Sequence, residues 1–352
     1  MARYLLKRLA LMVPTLLGIL LLSFAVIQFV PGGPVEQLVY QLKGRGSGGE
    51  AAGGGSSGAL YQGNKGLDPE RLAQIRKDYG FDQPAPQRFW LMLKRYARFD
   101  LGESYYHHQS VTSLIVSKLP VSISLGVWTF LLTYLVAVPL GVAKAVRHGS
   151  RFDAVSTLIL MLGYAIPGFV LGVVLLVLFG GGSFWQLFPL RGLTSDGWAQ
   201  LSMLGKVTDY LWHLVLPVTA MVAGSFATVT VLTKNSMLEE IRKQYVLTAR
   251  AKGLSETRIR YRHIFRNALI PLLTGFPEAF IGAFFTGSLL IETLFSLDGL
   301  GLLSYESVIR RDYPVVLGAL FLFSIIGLVT KLLSDLCYAL ADPRLRFEGA
   351  PA

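Results

Sequence analysis

The sequence predicts an all-α membrane protein with six transmembrane helices, and three observations carry that prediction. Apolar side chains make up 52% of the chain and charged ones only 16%, against about 25% charged in a soluble domain. Mean hydropathy is +0.50. Six apolar runs (9–30, 121–146, 155–179, 211–232, 272–294 and 315–338) are each long enough to cross a hydrocarbon core, which takes about 20 residues of helix. The net charge of +11 sits at the ends of these runs rather than along one amphipathic face, which argues against nucleic-acid binding and for a membrane topology signal.

The first run follows Arg3, Lys7 and Arg8. A secretory signal has an apolar region of about 7–15 residues ending at a small-residue cleavage site. Here the run is longer and closes on Gln28-Phe-Val-Pro-Gly-Gly-Pro34, so residues 1–30 read as an uncleaved first transmembrane helix. Proline and glycine then end the helix.

Residues 31–120 form an extracytoplasmic (periplasmic) segment. Within it 44–66 is rich in Gly, Ser and Ala and reads as a flexible insert. Asp68-Pro-Glu70 is a helix start, with Asp68 as N-cap and Pro69 at the first helical position, and that helix stops at Gly80. The run 89–99 is aromatic and basic and reads as an amphipathic helix at the outer interface.

Residues 121–340 hold the other five spans. Lys144–Arg151 joins the second and third, and Pro139 and Pro167 predict kinks in them. Trp185 and Trp198 mark the loop 180–210 as interfacial. Asp312 and Pro314 suit the cap and first turn of the last helix. Residues 341–352 form a tail. With the N-terminus inside, the inside segments carry seventeen Lys/Arg and the short outside loops four, namely Arg191, Lys206, Arg310 and Arg311. Both termini are therefore expected to be cytoplasmic.

Besides Lys144 at the inner end of the second run, four charged residues fall within the runs: Glu278, Glu292, Lys331 and Asp335. Such residues face a bundle interior or an aqueous route, or lie at an interface, so they are candidates for gating or packing. Glu292 fits equally an interfacial position or a gate or packing role. Lys331 and Asp335, four apart on one helix, can pair or can snorkel to the cytoplasmic interface.

Catalytic chemistry is not encoded. The sequence has no phosphate-binding loop and no H-E-x-x-H. Gly54-Gly-Ser-Ser-Gly58 matches a nucleophile elbow in letters only, without the strand and helix that motif needs. Adjacent His107 and His108 point apart and have no acidic or cysteine cluster, so no metal site is expected. The single Cys337 excludes an intrachain disulfide. No cofactor is expected.

The most informative stretch lies at 234–268, with nine Lys/Arg against three acidic residues between Lys234 and Arg266. A helical run Tyr245-Val-Leu-Thr-Ala-Arg-Ala-Lys ends at Gly253, the residue that best tolerates a left-handed backbone. A second helical run leads to Pro271. Thr248, Ala249, Ala251 and Gly253 give the first helix little bulk, which suits docking into a groove.

This stretch resembles the EAA loop of permease subunits in bacterial ABC importers, in the variant of the dipeptide, oligopeptide and nickel branch. Leu247 stands where that family's glutamate falls, and Thr248 replaces its first alanine. Gly80-Phe-Asp-Gln-Pro84, Asp100-Leu-Gly-Glu-Ser104, Gly287-Ser-Leu-Leu-Ile-Glu292, Gly299-Leu-Gly301, Arg311-Asp-Tyr-Pro314 and Asp342-Pro-Arg344 are similar to the same branch in order and spacing. The resemblance implies a type I ABC importer permease of MetI-like architecture in the bacterial inner membrane. It further implies ATPase coupling through Tyr245, Thr248, Ala249, Arg250, Ala251, Lys252 and Gly253. The implied partners are a second, C-type permease, ATP-binding ABC subunits that hydrolyse the ATP, and a periplasmic substrate-binding protein. The turn Pro31-Gly-Gly-Pro34-Val-Glu-Gln37 and the insert most resemble the microcin C-type oligopeptide branch. That likeness implies oligopeptide uptake, with dipeptides, nickel or glutathione as alternatives in the same class. An ion-driven secondary transporter would instead need paired broken helices in two related halves, and an intramembrane enzyme a catalytic pair at depth.

Overall fold

The computed structural model describes residues 2–29, 83–180, 184–285 and 289–341. The turn at 31–34, the insert 44–66 and the helix expected from Asp68 lie outside the described residues, as do 286–288 and the tail 342–352. The named elements are helices: α1 (Ala2–Phe29), α2 (Ala85–Tyr96), α3 (Val111–Val146), α4 (Arg151–Ala165), α5 (Gly168–Phe179), α6 (Met203–Ile241), α7 (Gln244–Ala251), α8 (Glu256–Arg258), a π-turn Ile259–Ile264, α9 (Phe265–Ala268), α10 (Ile270–Phe285), α11 (Leu289–Leu294), α12 (Leu300–Ile309) and α13 (Tyr313–Ala341). An all-α chain is thus found among the described residues.

Among the described residues, four helices are long and apolar enough to cross a membrane by themselves: α1, α3, α6 and α13. The expected third span does not form one rod. Ile166 takes an extended backbone (φ −86°, ψ 118°) ahead of Pro167, as the clash with the proline ring requires. The chain there bends by 94° between α4 and α5, a sharper break than the predicted kink. The fifth run, 272–294, is represented by α10 and α11 on either side of 286–288.

The chain divides into two compact units. One comprises Val13–Ile115 and Glu306–Leu322. In it α2 packs on α1 through Phe89 against Phe24, with ring centroids 5.3 Å apart, and Arg88 Nη2 donates to Gln28 Oε1 at 2.5 Å. Tyr96 stacks on Phe321 of α13 at 4.9 Å. Asp312 then clasps the loop before α3. Its carboxylate accepts from Ser104 Oγ at 2.5 Å and from the Tyr105 and Tyr106 N–H groups at 3.0 and 3.4 Å. Asp312 is thereby a loop anchor as well as the residue before α13.

The other unit comprises Met1–Met12, Val116–Tyr305 and Phe323–Ala352. One apolar core in it gathers Leu125 of α3, Leu214, Leu216, Val218 and Ala220 of α6, and Ile291 of α11, with Leu175, Leu176 and Phe179 of α5 packed on it. Helix α3 lies directly on α6: a Cβ on Gly141 would fall 2.6 Å from Thr233 Cβ, so that crossing admits only glycine. At 39 residues α6 is about 58 Å long, far longer than the roughly 30 Å hydrocarbon core.

Candidate coupling loop

The loop is built from the end of α6 onward. Arg242 keeps helical dihedrals, and Lys243 then turns extended (φ −75°, ψ 149°) to start α7. Helix α7 ends in a Schellman motif, in which the Gly253 N–H donates to Arg250 O at 2.9 Å and the Leu254 N–H to Ala249 O at 3.3 Å. Gly253 has φ +74° with nothing within 4 Å of where a Cβ would sit, so its requirement is purely conformational. Ser255 restarts the chain, and α8, the π-turn and α9 run on to α10, where Pro271 occupies the first turn.

One face of α7 is welded to the chain's own core. Val246 is fully buried and Ala249 is 8% exposed. They pack with Val142 and Ala145 of α3, Met237 of α6, Ile259 and Ile264 of the π-turn and Ala268 of α9. Leu254, the residue after the glycine, packs there too, completing the apolar contact that accompanies this cap. Ala249 is thus placed inward, on the stripe that anchors the helix.

The opposite face is open. Leu247, Thr248, Arg250, Ala251, Lys252 and Gly253 are exposed. Arg250 Nε donates to Glu256 Oε1 at 2.7 Å across the turn, an ion pair that raises the arginine's pKa and lowers the glutamate's. At the α6 end, Glu240 accepts from the Tyr245 hydroxyl at 2.6 Å and pairs with Lys243. The Lys243 ammonium is held above its usual range by that hydrogen bond. Partial burial, then the bond to Glu240, push the Tyr245 phenol up to about 12. The result is a short, internally braced helix with a basic outer rim.

The four charged residues of the spans do not assemble with one another. Glu278 is exposed on α10. Glu292 is fully buried and caps α12: its carboxyl accepts from the Leu302 N–H at 2.7 Å and from the Gly301 N–H. The Ser122 hydroxyl lies 3.5 Å from that carboxyl and itself accepts from the Leu300 N–H at 2.9 Å. These contacts are those of a buried helix cap. A Cβ on Gly299 would stand 2.6 Å from the same carboxyl, which explains the glycine. Lys331 is exposed, and the anticipated Lys331–Asp335 pair does not form. Asp335 is instead held by Arg8 Nη2 at 2.8 Å, a partner more than three hundred residues away that helical spacing cannot reveal.

A charged cluster below the loop was not singled out by sequence reasoning. Lys144 is 1% and Asp153 5% exposed. Lys144 Nζ donates to Asp153 O, Ser156 Oγ and Thr157 Oγ1 at 2.9, 2.7 and 2.8 Å and lies 3.1 Å from Asp153 Oδ1. Lys234 Nζ reaches both Asp153 oxygens at 2.7 and 2.8 Å. Gly149 N–H donates to Asp153 Oδ2 at 3.2 Å, and His148 Nδ1 lies 3.3 Å from it. The one local signal is Ser150-x-x-Asp153, a capping pattern, and Ser150 Oγ does accept from the Asp153 N–H.

No group of three or more His, Cys, Asp or Glu residues able to hold a metal occurs among the described residues. An open cavity of about 640 Å³ lies beside the α4–α5 bend, lined by Gly168 and Phe169 of α5, Gly224, Ser225 and Thr228 of α6, and Ile291 of α11, among others.

Comparison with known proteins places this architecture. Residues 137–347, spanning the loop, match the family described as binding-protein-dependent transport system inner membrane component. Over 99% of both chains, the protein is 54% identical to the peptidoglycan transport system permease protein YejB of Agrobacterium fabrum (strain C58 / ATCC 33970). It is 51% identical to the inner membrane ABC transporter permease protein YejB of Escherichia coli O157:H7, over 99% of this chain and 100% of that one. The dipeptide transport system permease protein DppB of Escherichia coli (strain K12) is 32% identical at the same coverage. A solved structure of the MetNI methionine ABC transporter aligns with 66% of this chain and 97% of its own, at 16% identity and TM-score 0.42. The chain therefore belongs to the family of inner membrane components of binding-protein-dependent transport systems, as the permease subunit of an ABC importer whose ATP is hydrolysed by a separate subunit.

Proposed function

We propose that this permease takes up oligopeptides, including peptide fragments of peptidoglycan and peptide-like antibiotics of the microcin C type. Its near full-length identity to two YejB permeases, well above that to the dipeptide permease, supports an oligopeptide over a dipeptide, nickel or glutathione cargo. In this reading the chain pairs with a second, C-type permease. A periplasmic substrate-binding protein delivers cargo from outside, and ATP-binding ABC subunits engage the 234–268 loop. The six-span topology with both termini cytoplasmic belongs to the same proposal and is supported by the seventeen-to-four asymmetry of Lys/Arg.

The observation that carries the coupling role is the division of α7 into two faces. A helix whose buried stripe is fixed to α3 and α6 and whose exposed rim is basic and mostly small moves its parent helices when a partner moves it. Tyr245 and Ala249 hold the helix in place, whereas Thr248, Arg250, Ala251, Lys252 and Gly253 offer the contact face. Glu278 and Lys331, both exposed, remain candidates for the path or its gate, while Glu292 and Asp335 serve packing.

The test is ATPase and uptake by the chain co-purified with its partners, using binding protein loaded from a panel of oligopeptides, muropeptides, dipeptides and nickel. Oligopeptide-loaded binding protein is expected to stimulate hydrolysis. Gly253→Pro should uncouple hydrolysis from transport, abolishing uptake while hydrolysis continues, because proline cannot reach φ +74° and lacks the N–H given to Arg250 O. Unchanged uptake in Gly253→Pro overturns the coupling role, and stimulation by dipeptides or nickel alone overturns the cargo.

A further inference from the structure

The cluster around Asp153 has no chemistry to perform, yet it buries a lysine almost completely. Burying a charge is costly unless it is paired and hydrogen-bonded, so its position is informative. Lys144 and Lys234 sit on the two helices that floor the coupling loop. Lys144 adjoins Ala145, and Lys234 lies one turn before Met237; both of those apolar residues pack in the cluster that holds Val246 and Ala249. Asp153 belongs to a third helix, α4, whose first residue is Arg151. Through one carboxylate, α4 is therefore ionically fastened to α3 and α6 at the level of the loop. The far end of α4 is the 94° bend. Beyond it, Gly168 and Phe169 wall the open cavity together with Gly224, Ser225 and Thr228.

We propose that Asp153 is a positioning residue for transport: it joins α4 to the coupling loop, so that displacement of the loop swings the α4–α5 bend and reshapes the cavity beside it. The inference rests on the coupling role proposed above for the loop. Two features of the cluster suit a joint better than a simple staple. Lys144 is saturated by α4, with Asp153 O, Ser156 Oγ and Thr157 Oγ1 as acceptors, so it moves with α4 as a unit. Lys234, whose side chain is 15% exposed, meets Asp153 with both carboxylate oxygens. That bidentate contact is the cross-brace from α6. Removing it takes away the ionic part of the α4–α6 contact and leaves only their packing.

The test compares the intact transporter with Asp153→Asn, Asp153→Glu and Lys234→Met in proteoliposomes. The readout is substrate imported per ATP hydrolysed under saturating loaded binding protein. A purely structural role lowers the amount of functional complex, so uptake and hydrolysis fall in parallel and their ratio stays constant. A joint that fails lets hydrolysis proceed while transport stalls. The ratio is expected to drop at least fivefold in Asp153→Asn and at least threefold in Lys234→Met. It should recover to within twofold in Asp153→Glu, which keeps the charge. Lys234→Met leaves Lys144 to satisfy Asp153, so it decides the matter if Asp153→Asn does not assemble.

A ratio that stays constant in Lys234→Met and in every assembled Asp153 variant overturns the joint. Gly253→Pro, assayed beside them, separates the two ideas. If it lowers the ratio while the cluster variants do not, the joint is wrong and the loop assignment stands. If neither does, the loop assignment itself fails.

Discussion

Glu292 and Gly299 make a prediction whose size follows from the geometry. A Cβ added at Gly299 would lie 2.6 Å from both Cδ and Oε1 of Glu292 and 2.8 Å from Oε2. Contacts of this kind relax to about 3.5 Å or more, so the carboxyl must retreat by on the order of 1 Å. That is enough to break the 2.7 Å bond from the Leu302 N–H and its neighbour from Gly301. Each buried donor left unmade costs about 1–3 kcal/mol, so Gly299→Ala should destabilise by about 2–4 kcal/mol. Glu292→Ala removes the same bonds directly and should cost a similar amount, with a further contribution from the void it leaves. The two changes should not add. With the carboxyl gone the Gly299→Ala methyl enters open space, so the double variant should be about as stable as Glu292→Ala alone. The expected coupling is about 2 kcal/mol or more. Reversible SDS-induced unfolding of the detergent-solubilised protein measures all four corners of the cycle. Additive losses, or a near-neutral Gly299→Ala, would refute the capping role of Glu292.

Two further outcomes follow from the same kind of reasoning. Asp312→Ala removes the acceptor for Ser104 Oγ and for the Tyr105 and Tyr106 N–H groups. It should make the 103–110 loop several-fold more sensitive to proteolysis in proteoliposomes while leaving cleavage within 244–258 unchanged; equal protection in variant and parent would count against the clasp. Tyr245 is held protonated, its phenol pushed up to about 12 by burial and then by the bond to Glu240. A folded-state pKa raised above the unfolded value of about 10 favours the folded form fully below pH 10. That contribution is lost as pH rises from 10 towards 12. Tyr245→Phe should lower stability by about 1 kcal/mol at pH 7 and show a flatter decline between pH 10 and 12 in thermal unfolding. A variant that declines as steeply as the parent there would contradict the assignment.

The coupling loop was legible because its determinants are local. A Schellman cap needs only a glycine at the right place after a short helix, and Gly253 supplies it. The basic excess between two apolar runs is likewise a property of a stretch, not of a fold. The same locality explains the broken third span only in part. Pro167 forbids helical dihedrals at Ile166, so a defect was foreseeable, but a 94° angle depends on where α5 packs, and it packs against α6 through Leu175, Leu176 and Phe179.

The sequence by itself determined that this chain is a bundle of apolar helices in a membrane, where its basic loop lies, where the proposed coupling helix ends, and which permease branch it resembles. Each of these follows from composition, helical period or turn chemistry within a few residues. The tertiary structure alone decided what the charges do. Asp335 looks paired with Lys331 on one helix and is held by Arg8 from the other end of the chain. Glu292, which in sequence fits an interface as well as a gate or packing role, is a buried cap. Lys144, Asp153 and Lys234, indistinguishable in sequence from topology signals and capping residues, converge on one point. The physical reason is common to all three. A charge that leaves water must find a counter-charge or hydrogen-bond donors wherever packing puts them, and packing joins residues whose separation along the chain no local pattern records.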